Sequence, residues 1–361
     1  MTTIPTDPQT VPTDDELPPT PTATPKLPRS VSALVFLRDQ GVFVLWGVLI
    51  VVFAFVGSPY FFTVDNAMLV ANAGAVTAIF AAGVGIGVMT GSLDLSLPGT
   101  AAVAGCVCGW LLTHGSPTWL SLLAGLACGL VIGLINGLIV LRGFNSIIVT
   151  IGAFSVLSGL AAIITSGNTF PGLTQLEFMG TRHYFAFGGF AGVPAPVLIV
   201  AAVYAIGFVF LTRTRDGLRV MAVGANPEAV RRAGINSGLY KVIGFVISGT
   251  LAALGGLVST ATVTQASPTA SAGIIFDSLT AVSLTGIAMS GGRGSLPRVL
   301  VGSLILATIA NGLLIRGVQP YWATVSTGVL LIGSLFFERA IQAGVANRLM
   351  SANLSVHQKK V

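Results

Sequence analysis

Charge is what this sequence has least of. Only 8% of its 361 residues are Asp, Glu, Lys or Arg, while 53% are hydrophobic. A soluble domain carries about 25% charged residues, so a water-exposed globular enzyme is excluded and lipid is the natural solvent for such a chain. Cysteine is scarce too. Cys106, Cys108 and Cys128 all lie in apolar runs and form no CxxC pair, which excludes a disulfide scaffold or a zinc ribbon and leaves small packing residues. His114 and His183 stand alone, with no metal-ligand spacing around them. There is no GxxxxGK[ST] run, so the chain has no phosphate-cradling loop of its own. No HExxH or Ser-His-Asp constellation appears outside the apolar runs, which excludes the common hydrolytic chemistries. The net charge of +6 does not point to nucleic acid, because the basic residues sit between apolar runs and not on one soluble face.

What is present is a series of apolar runs, each near the 17–25 residues, roughly, that cross a bilayer as a helix. Ten are expected: 41–61, 67–90, 97–113, 120–141, 147–165, 194–212, 240–262, 275–291, 296–316 and 321–337. The second and third are separated by GSLDLSLPG (91–99), the eighth and ninth by SGGRGSLP (290–297). Gly and Pro there free backbone groups that lipid cannot satisfy, so both interruptions must be buried in protein, line a wet cavity or reach a membrane face. The fold class expected is an all-α integral membrane protein of about ten transmembrane helices, with broken helices and inverted-repeat halves. The repeat shows in INGLIVLRG (135–143) and ANGLLIRGV (310–318), which put Asn136 and Asn311 in equivalent places.

Residues 1–40 are expected to form a disordered cytoplasmic tail. The first thirty are rich in Thr and Pro and lack the basic end and apolar run of a cleavable leader. The transmembrane body is assigned to 41–338, with a cytoplasmic loop at 213–240, and a cytoplasmic C-terminal tail to 339–361. With both termini in the cytoplasm, sixteen basic residues fall inside, and only Arg182 and Arg316 fall outside. That is the bias expected of a multi-pass protein of the cytoplasmic membrane.

The largest charged segment outside the tails is LTRTRDGLRVMAVGANPEAVRRAGINSGLYKVIG (211–244). In it, Asn226 is placed to cap a short helix, Pro227 suits its first position, and Glu228 complements its dipole. Arg231 and Arg232 ride on this helix and Gly234 closes it in a left-handed turn. So short a helix needs a docking surface to be stable. In the first interruption, Asp94 is an acid inside or beside a span and a functional candidate by default. It reads equally as a helix cap and as a substrate contact, with Ser96 able to satisfy it. Asp277 reads as a cap of the eighth span. Asn145 and Thr150 open the fifth span, where small hydroxyls either face a polar path or let helices pack closely.

Four stretches resemble the permease subunits of bacterial ATP-binding cassette importers of the ribose and xylose type. They are GSLDLSLPG, NSIIVTIGAFSVLSGLA, AVGANPEAVRRAGIN and SLTGIAMSGGRGSLPRVLVGSLILATIANGL, within residues 41–338. The chain departs from the family pattern at Leu97-Pro98, at Phe144-Asn145-Ser146 and at Pro297. The resemblance implies a pore built with a second permease copy, identical or paralogous. Separate cytoplasmic ATPase subunits carrying ATP and Mg would drive it, and a periplasmic or lipid-anchored sugar-binding protein would feed it. This chain itself would bind no cofactor. The resemblance also implies an ATPase-coupling role for Gly217, Asn226, Pro227, Glu228, Arg231, Arg232 and Gly234. Asp94, Ser96, Asn136, Asn145, Thr150 and Asn311 are the polar residues expected along the path. The function expected is import of a pentose, hexose or polyol. The alternatives are a permease for branched-chain amino acids or nucleosides, and an ion-coupled secondary transporter.

Overall fold

The computed structural model describes residues 29–180, 184–185, 192–271, 273–287 and 291–358. Arg182, His183 and the Thr/Pro-rich stretch 1–28 lie outside the described residues. Among those described, the regular structure is helical apart from one two-residue ladder, β1 (Tyr184–Phe185) antiparallel to β2 (Val193–Pro194), and an isolated bridge between Phe170 and Ala266. Seven helices are long and apolar enough to cross a membrane: α2 (Val64–Met89), α4 (Thr118–Leu141), α5 (Ser146–Thr165), α6 (Ala195–Arg213), α9 (Ser237–Val263), α11 (Leu296–Ile315) and α12 (Tyr321–Gln358), whose spanning part is Tyr321–Ile341. Three shorter apolar helices complete the set: the Gln40–Val56 part of α1 (Arg29–Val56), α3 (Leu97–Thr113) and α10 (Ile274–Ser283). Two polar helices, α7 (Arg215–Ala225) and α8 (Pro227–Arg232), lie between α6 and α9. The protein is an all-α integral membrane protein.

Three boundaries differ from expectation. Residues 29–40, expected in a disordered tail, form the first turns of α1. Tail and span are likewise continuous in α12. The eighth run, expected to 291, stops being helical at Ser283, because Gly286 takes a left-handed φ of 66° and Gly291 and Gly292 follow with φ of 90° and 77°. Ten residues of helix rise only about 15 Å, half a bilayer core. The rest of that crossing falls to non-helical chain, which is buried at Thr285 and Ile287, as backbone at membrane depth must be.

The core sits on α2 and α9, which pack on each other and are the most buried of the long helices. Around them the neighbours come in matched pairs. α9 packs on α3 and α4 as α2 packs on α10 and α11, and α3 touches α4 and α5 as α10 touches α11 and α12. The matching unit therefore runs α1–α5 and then α6 with α9–α12. Each unit holds five apolar helices, an odd number, so the second is inverted relative to the first. In this correspondence the two interruptions are not equivalent. The one at 90–96 matches the α9–α10 connection, and the one at 284–295 matches the α3–α4 connection.

The tightest helix crossing is α4 on α9. α4 buries Ser121, Gly125, Gly129, Gly133 and Gly137, one residue every turn, and turns its large residues outward to the lipid. A Cβ on Gly129 would collide with the Gly249 carbonyl and the Ala253 methyl. This spacing of small residues lets two backbones meet where lipid supplies no hydrophobic drive between helices.

Candidate coupling site and the polar cluster beneath it

α7 and α8 lie on one face of the molecule, which they share with both interruptions. The Thr214 hydroxyl caps α7 by accepting from the Gly217 amide at 3.0 Å, and Asp216 stands in its first turn. Val220, Val223, Gly217 and Gly224 form its buried side, while Leu218, Ala222 and Ala225 face outward. Gly217 is where α7 folds back onto α6, since a Cβ there would strike the Phe210 carbonyl. α8 follows at once. Asn226 Oδ1 accepts from the Ala229 amide at 3.0 Å, and Pro227 occupies the first helical position. The Ile235 amide reaches the Val230 carbonyl at 3.2 Å and the Gly234 amide the Arg231 carbonyl at 3.0 Å, with Gly234 left-handed at φ 78°. These two bonds are the Schellman closure that a glycine at this place makes without strain. Only Val230 of α8 is buried. On its exposed side Glu228 pairs with Arg231 at 2.8 Å and with Arg232 at 3.3 Å. Exposed pairs of this kind contribute roughly 0–1 kcal/mol, so they organise the surface without welding it.

A clasp holds α7 to α9. The buried Tyr240 donates its hydroxyl to Asp216 Oδ1 at 2.8 Å and accepts from Arg219 Nη1 at 2.9 Å. The Arg219 guanidinium also lies 5.9 Å from the centre of the Tyr240 ring. The Tyr240 hydroxyl first, and then the Asp216 carboxylate, hold that guanidinium above its ordinary range. No sequence motif marked Asp216, Arg219 or Tyr240 as a unit, because residues 24 positions apart meet only once α7 has folded back.

Behind this face, three of the expected path residues come together. α2 ends in a Schellman closure at Gly91, with the Ser92 amide on the Gly87 carbonyl at 2.9 Å and the Gly91 amide on that of Val88 at 2.8 Å. The chain then turns inward. Asp94 is 1% exposed. Its Oδ1 accepts from the Ser96 amide at 2.9 Å and the Ser96 hydroxyl at 2.6 Å, and its Oδ2 accepts from Ser248 of α9 at 3.2 Å. Asn136 of α4 donates to Ser96 Oγ at 2.9 Å. One carboxylate thus ties the first interruption to both α4 and α9, with donors on each of its oxygens, as a buried carboxylate requires. Ser248 was not singled out from the sequence, where one serine in an apolar run carries no signal.

The other expected path residues lie elsewhere. Asn145 caps α5, accepting from the Ile147 amide at 2.9 Å. Thr150 is buried and closes on the Ser146 carbonyl of its own helix at 2.8 Å. Asn311, near the far end of α11, donates to Asn66 Oδ1 at 2.9 Å on the opposite face. Asp277 does not cap α10; it sits four residues after the Gly273 cap, beside Thr327. No group of three or more His, Cys, Asp or Glu side chains able to hold a metal occurs among the described residues.

The family described as branched-chain amino acid transport system / permease component matches residues 66–335. The chain is 33% identical to the ribose import permease protein RbsC of Escherichia coli (strain K12) over 278 residues, 76% of this chain and 86% of the relative. It is 29% identical to the D-allose transport system permease protein AlsC of the same strain over 309 residues, 85% of this chain and 93% of the relative. It is also 29% identical to the L-arabinose transport system permease protein AraH of that strain over 305 residues, 83% and 90% respectively. No solved structure matches the chain. The match over residues 66–335, most of the chain, places this protein in the branched-chain amino acid transport system / permease component family.

Proposed function

We propose that this chain is the membrane subunit of an ATP-driven, binding-protein-dependent importer of a monosaccharide, and that α7 and α8 are where separate ATPase subunits grip it. The sugar class rests on the relatives. Those reported above are permeases for ribose, allose and arabinose, although the family description speaks of branched-chain amino acids. The single observation that carries the mechanical part is that, among the described residues, α7 and α8 are the polar helices between apolar ones, and that α7, which leads straight into α8, ends against both interruptions. In this reading ATP and Mg belong to the ATPase chains. A second permease copy completes the pore, and a periplasmic or lipid-anchored sugar-binding protein supplies the cargo. Gly217, Asn226, Pro227, Glu228, Arg231, Arg232 and Gly234 then form the seat, with the α7–α8 face in the cytoplasm and the body in the cytoplasmic membrane. A stiff, capped helix passes on a push better than a coil. Proton relays place acids and histidines within spans, and Asp94 is fully engaged by its neighbours, so an ion-coupled carrier is not favoured.

Purification of the intact complex tests this reading. An ATPase and a sugar-binding protein are expected to co-purify, and changing Glu228 to Lys or deleting 226–234 is expected to leave the permease folded while lowering sugar-stimulated ATP hydrolysis. Uptake by this chain alone in vesicles under a proton or sodium gradient would replace it with a secondary transporter.

A further inference from the structure

Three pieces of backbone meet at one point behind α7. The Gly292 amide donates to the carbonyl of Met89, the last residue of α2, at 3.0 Å. A Cβ on Gly224, the penultimate residue of α7, would fall on that same carbonyl oxygen and 2.7 Å from the Gly292 nitrogen. A Cβ on Gly291 would lie 2.9 Å from the Gly224 carbonyl oxygen and 3.0 Å from the Gly91 Cα. Gly91, Gly291 and Gly292 all have left-handed φ, of 72°, 90° and 77°, which favours glycine on conformational grounds alone. Gly224 is helical, so its reason is space: no side chain fits between the end of α7 and the two interruptions.

We infer that Gly224 is a positioning residue, through which movement of α7 reaches the first and second interruptions together. The inference rests on the coupling role proposed for the α7–α8 face. The geometry separates two tasks on that face. α8 offers an exposed, charged surface and buries only Val230, so it suits contact with a partner. α7 offers a buried edge that ends against Met89, Gly91 and Gly292, so it suits transmission inward. Direct backbone contact leaves no flexible side chain to absorb a displacement. A shift of α7 therefore has to move the end of α2, and with it the turn leading to Asp94, and at the same time the non-helical arm ahead of α11. Neither interruption can respond alone while the amide of Gly292 stays on the carbonyl of Met89.

The test uses the complete complex in proteoliposomes, with ribose as the first sugar probed and allose and arabinose beside it. Gly224→Ala is expected to retain its ATPase and to hydrolyse ATP with an unchanged KM for ATP. ATP-dependent uptake, and the stimulation of hydrolysis by loaded binding protein, should fall about tenfold, within the span of an ordinary coupling free energy. Gly328→Ala, in α12 with open space around it, should transport as the parent does. Wild-type uptake by Gly224→Ala overturns the inference. Should that variant fail to assemble, hydrogen exchange on the unmodified complex decides: residues 217–226, 90–96 and 291–295 are expected to change protection at one common ATP concentration. A change at one interruption without the other overturns the inference. Absence of ATP-driven uptake of any sugar by the unmodified complex strikes instead at the proposed function, so the two failures are distinguishable.

Discussion

The hydroxyl of Ser248 donates to Oδ2 of Asp94 at 3.2 Å, joining residues 154 positions apart and belonging to opposite repeat units. With Ser96 on Oδ1 and Asn136 behind Ser96, the carboxylate becomes the polar pin of an otherwise apolar centre. Removing one partner of a buried charged hydrogen bond leaves the other desolvated and unpaired. Asp94→Ala is therefore expected to lower stability by about 3 kcal/mol, the high end for hydrogen bonds to a charged group, and Ser248→Ala by about 1.5 kcal/mol. Thermal unfolding of the purified permease in detergent reads both. The double variant should cost less than the two singles added, since both remove one interaction; strict additivity would show that the pair does not interact.

The α4–α9 crossing makes a sharper steric prediction. Gly129 lies against the Gly249 backbone, whereas Gly152 of α5 has nothing within 4 Å of where its Cβ would be. Gly129→Val should destabilise by about 1–3 kcal/mol through overpacking, with the same detergent melt as readout. Gly152→Ala should be neutral or stabilising by up to about 1 kcal/mol, because alanine is the better helix former. If both substitutions behaved alike, close approach of α4 to α9 would not be what fixes glycine at 129.

These two cases also show what could be read in advance. Ten apolar runs were legible because lipid demands one helix-length stretch for each crossing, and the helix at 227–232 was legible because Asn226, Pro227 and Gly234 are local punctuation. α7 was not. Its two glycines lower helix propensity, and its apolar positions, Val220 and Val223 among them, face the protein rather than lipid, so no long run marks it. The shortness of α10 was hidden because its continuation, LTGIAM, is as apolar as a helix would be. Asp94, Ser96 and Asn136 were picked out as polar residues in apolar surroundings, and the fold brings them together. Asn311 was picked out on the same grounds and by repeat symmetry, and it pairs with Asn66 at the far face, because inversion of the second unit puts the counterpart of Asn136 at the opposite end of the bundle. Of the glycine junction, Gly91, Gly291 and Gly292 lay in the two marked interruptions, but nothing in the sequence set Gly224 apart among 45 glycines or joined it to them.

The Tyr240 clasp predicts a local loss without a global one. Tyr240→Phe removes the donor to Asp216 and the acceptor for Arg219 while keeping the buried ring. Both charged partners are half-exposed and can turn to water, so the cost should be only about 1 kcal/mol. That loss falls on α7, whose remaining anchors are the buried edge of Gly217, Val220, Val223 and Gly224. Limited proteolysis should then cut within 213–236 several times faster than in the parent, with the unfolding midpoint almost unmoved. An unchanged cleavage rate would mean that α7 is held by its apolar edge alone.

The distribution of charge in the folded chain predicts its orientation. The connections after α2, α4, α6 and α10 share the face of α7 and α8. That face carries Arg142, Arg213, Arg215, Arg219, Arg231, Arg232, Lys241, Arg293 and Arg298, with Arg339 toward its edge at the end of the last span. The opposite face, where Phe170 bridges to Ala266, has Arg316 as its basic residue among those described. Short loops rich in Lys and Arg stay in the cytoplasm, which predicts α8 inside and the 3-10 turn at Thr174–Met179 outside. Cysteine introduced at Arg231 should react with a membrane-impermeant maleimide only after the cells are opened, and cysteine introduced at Gln175 should react in intact spheroplasts. Of the native thiols, Cys106 and Cys108 are buried and Cys128 half-buried within spans, so the introduced group dominates the signal. Labelling at 231 in intact spheroplasts would invert the whole threading, and with it the side on which any ATPase could reach α8.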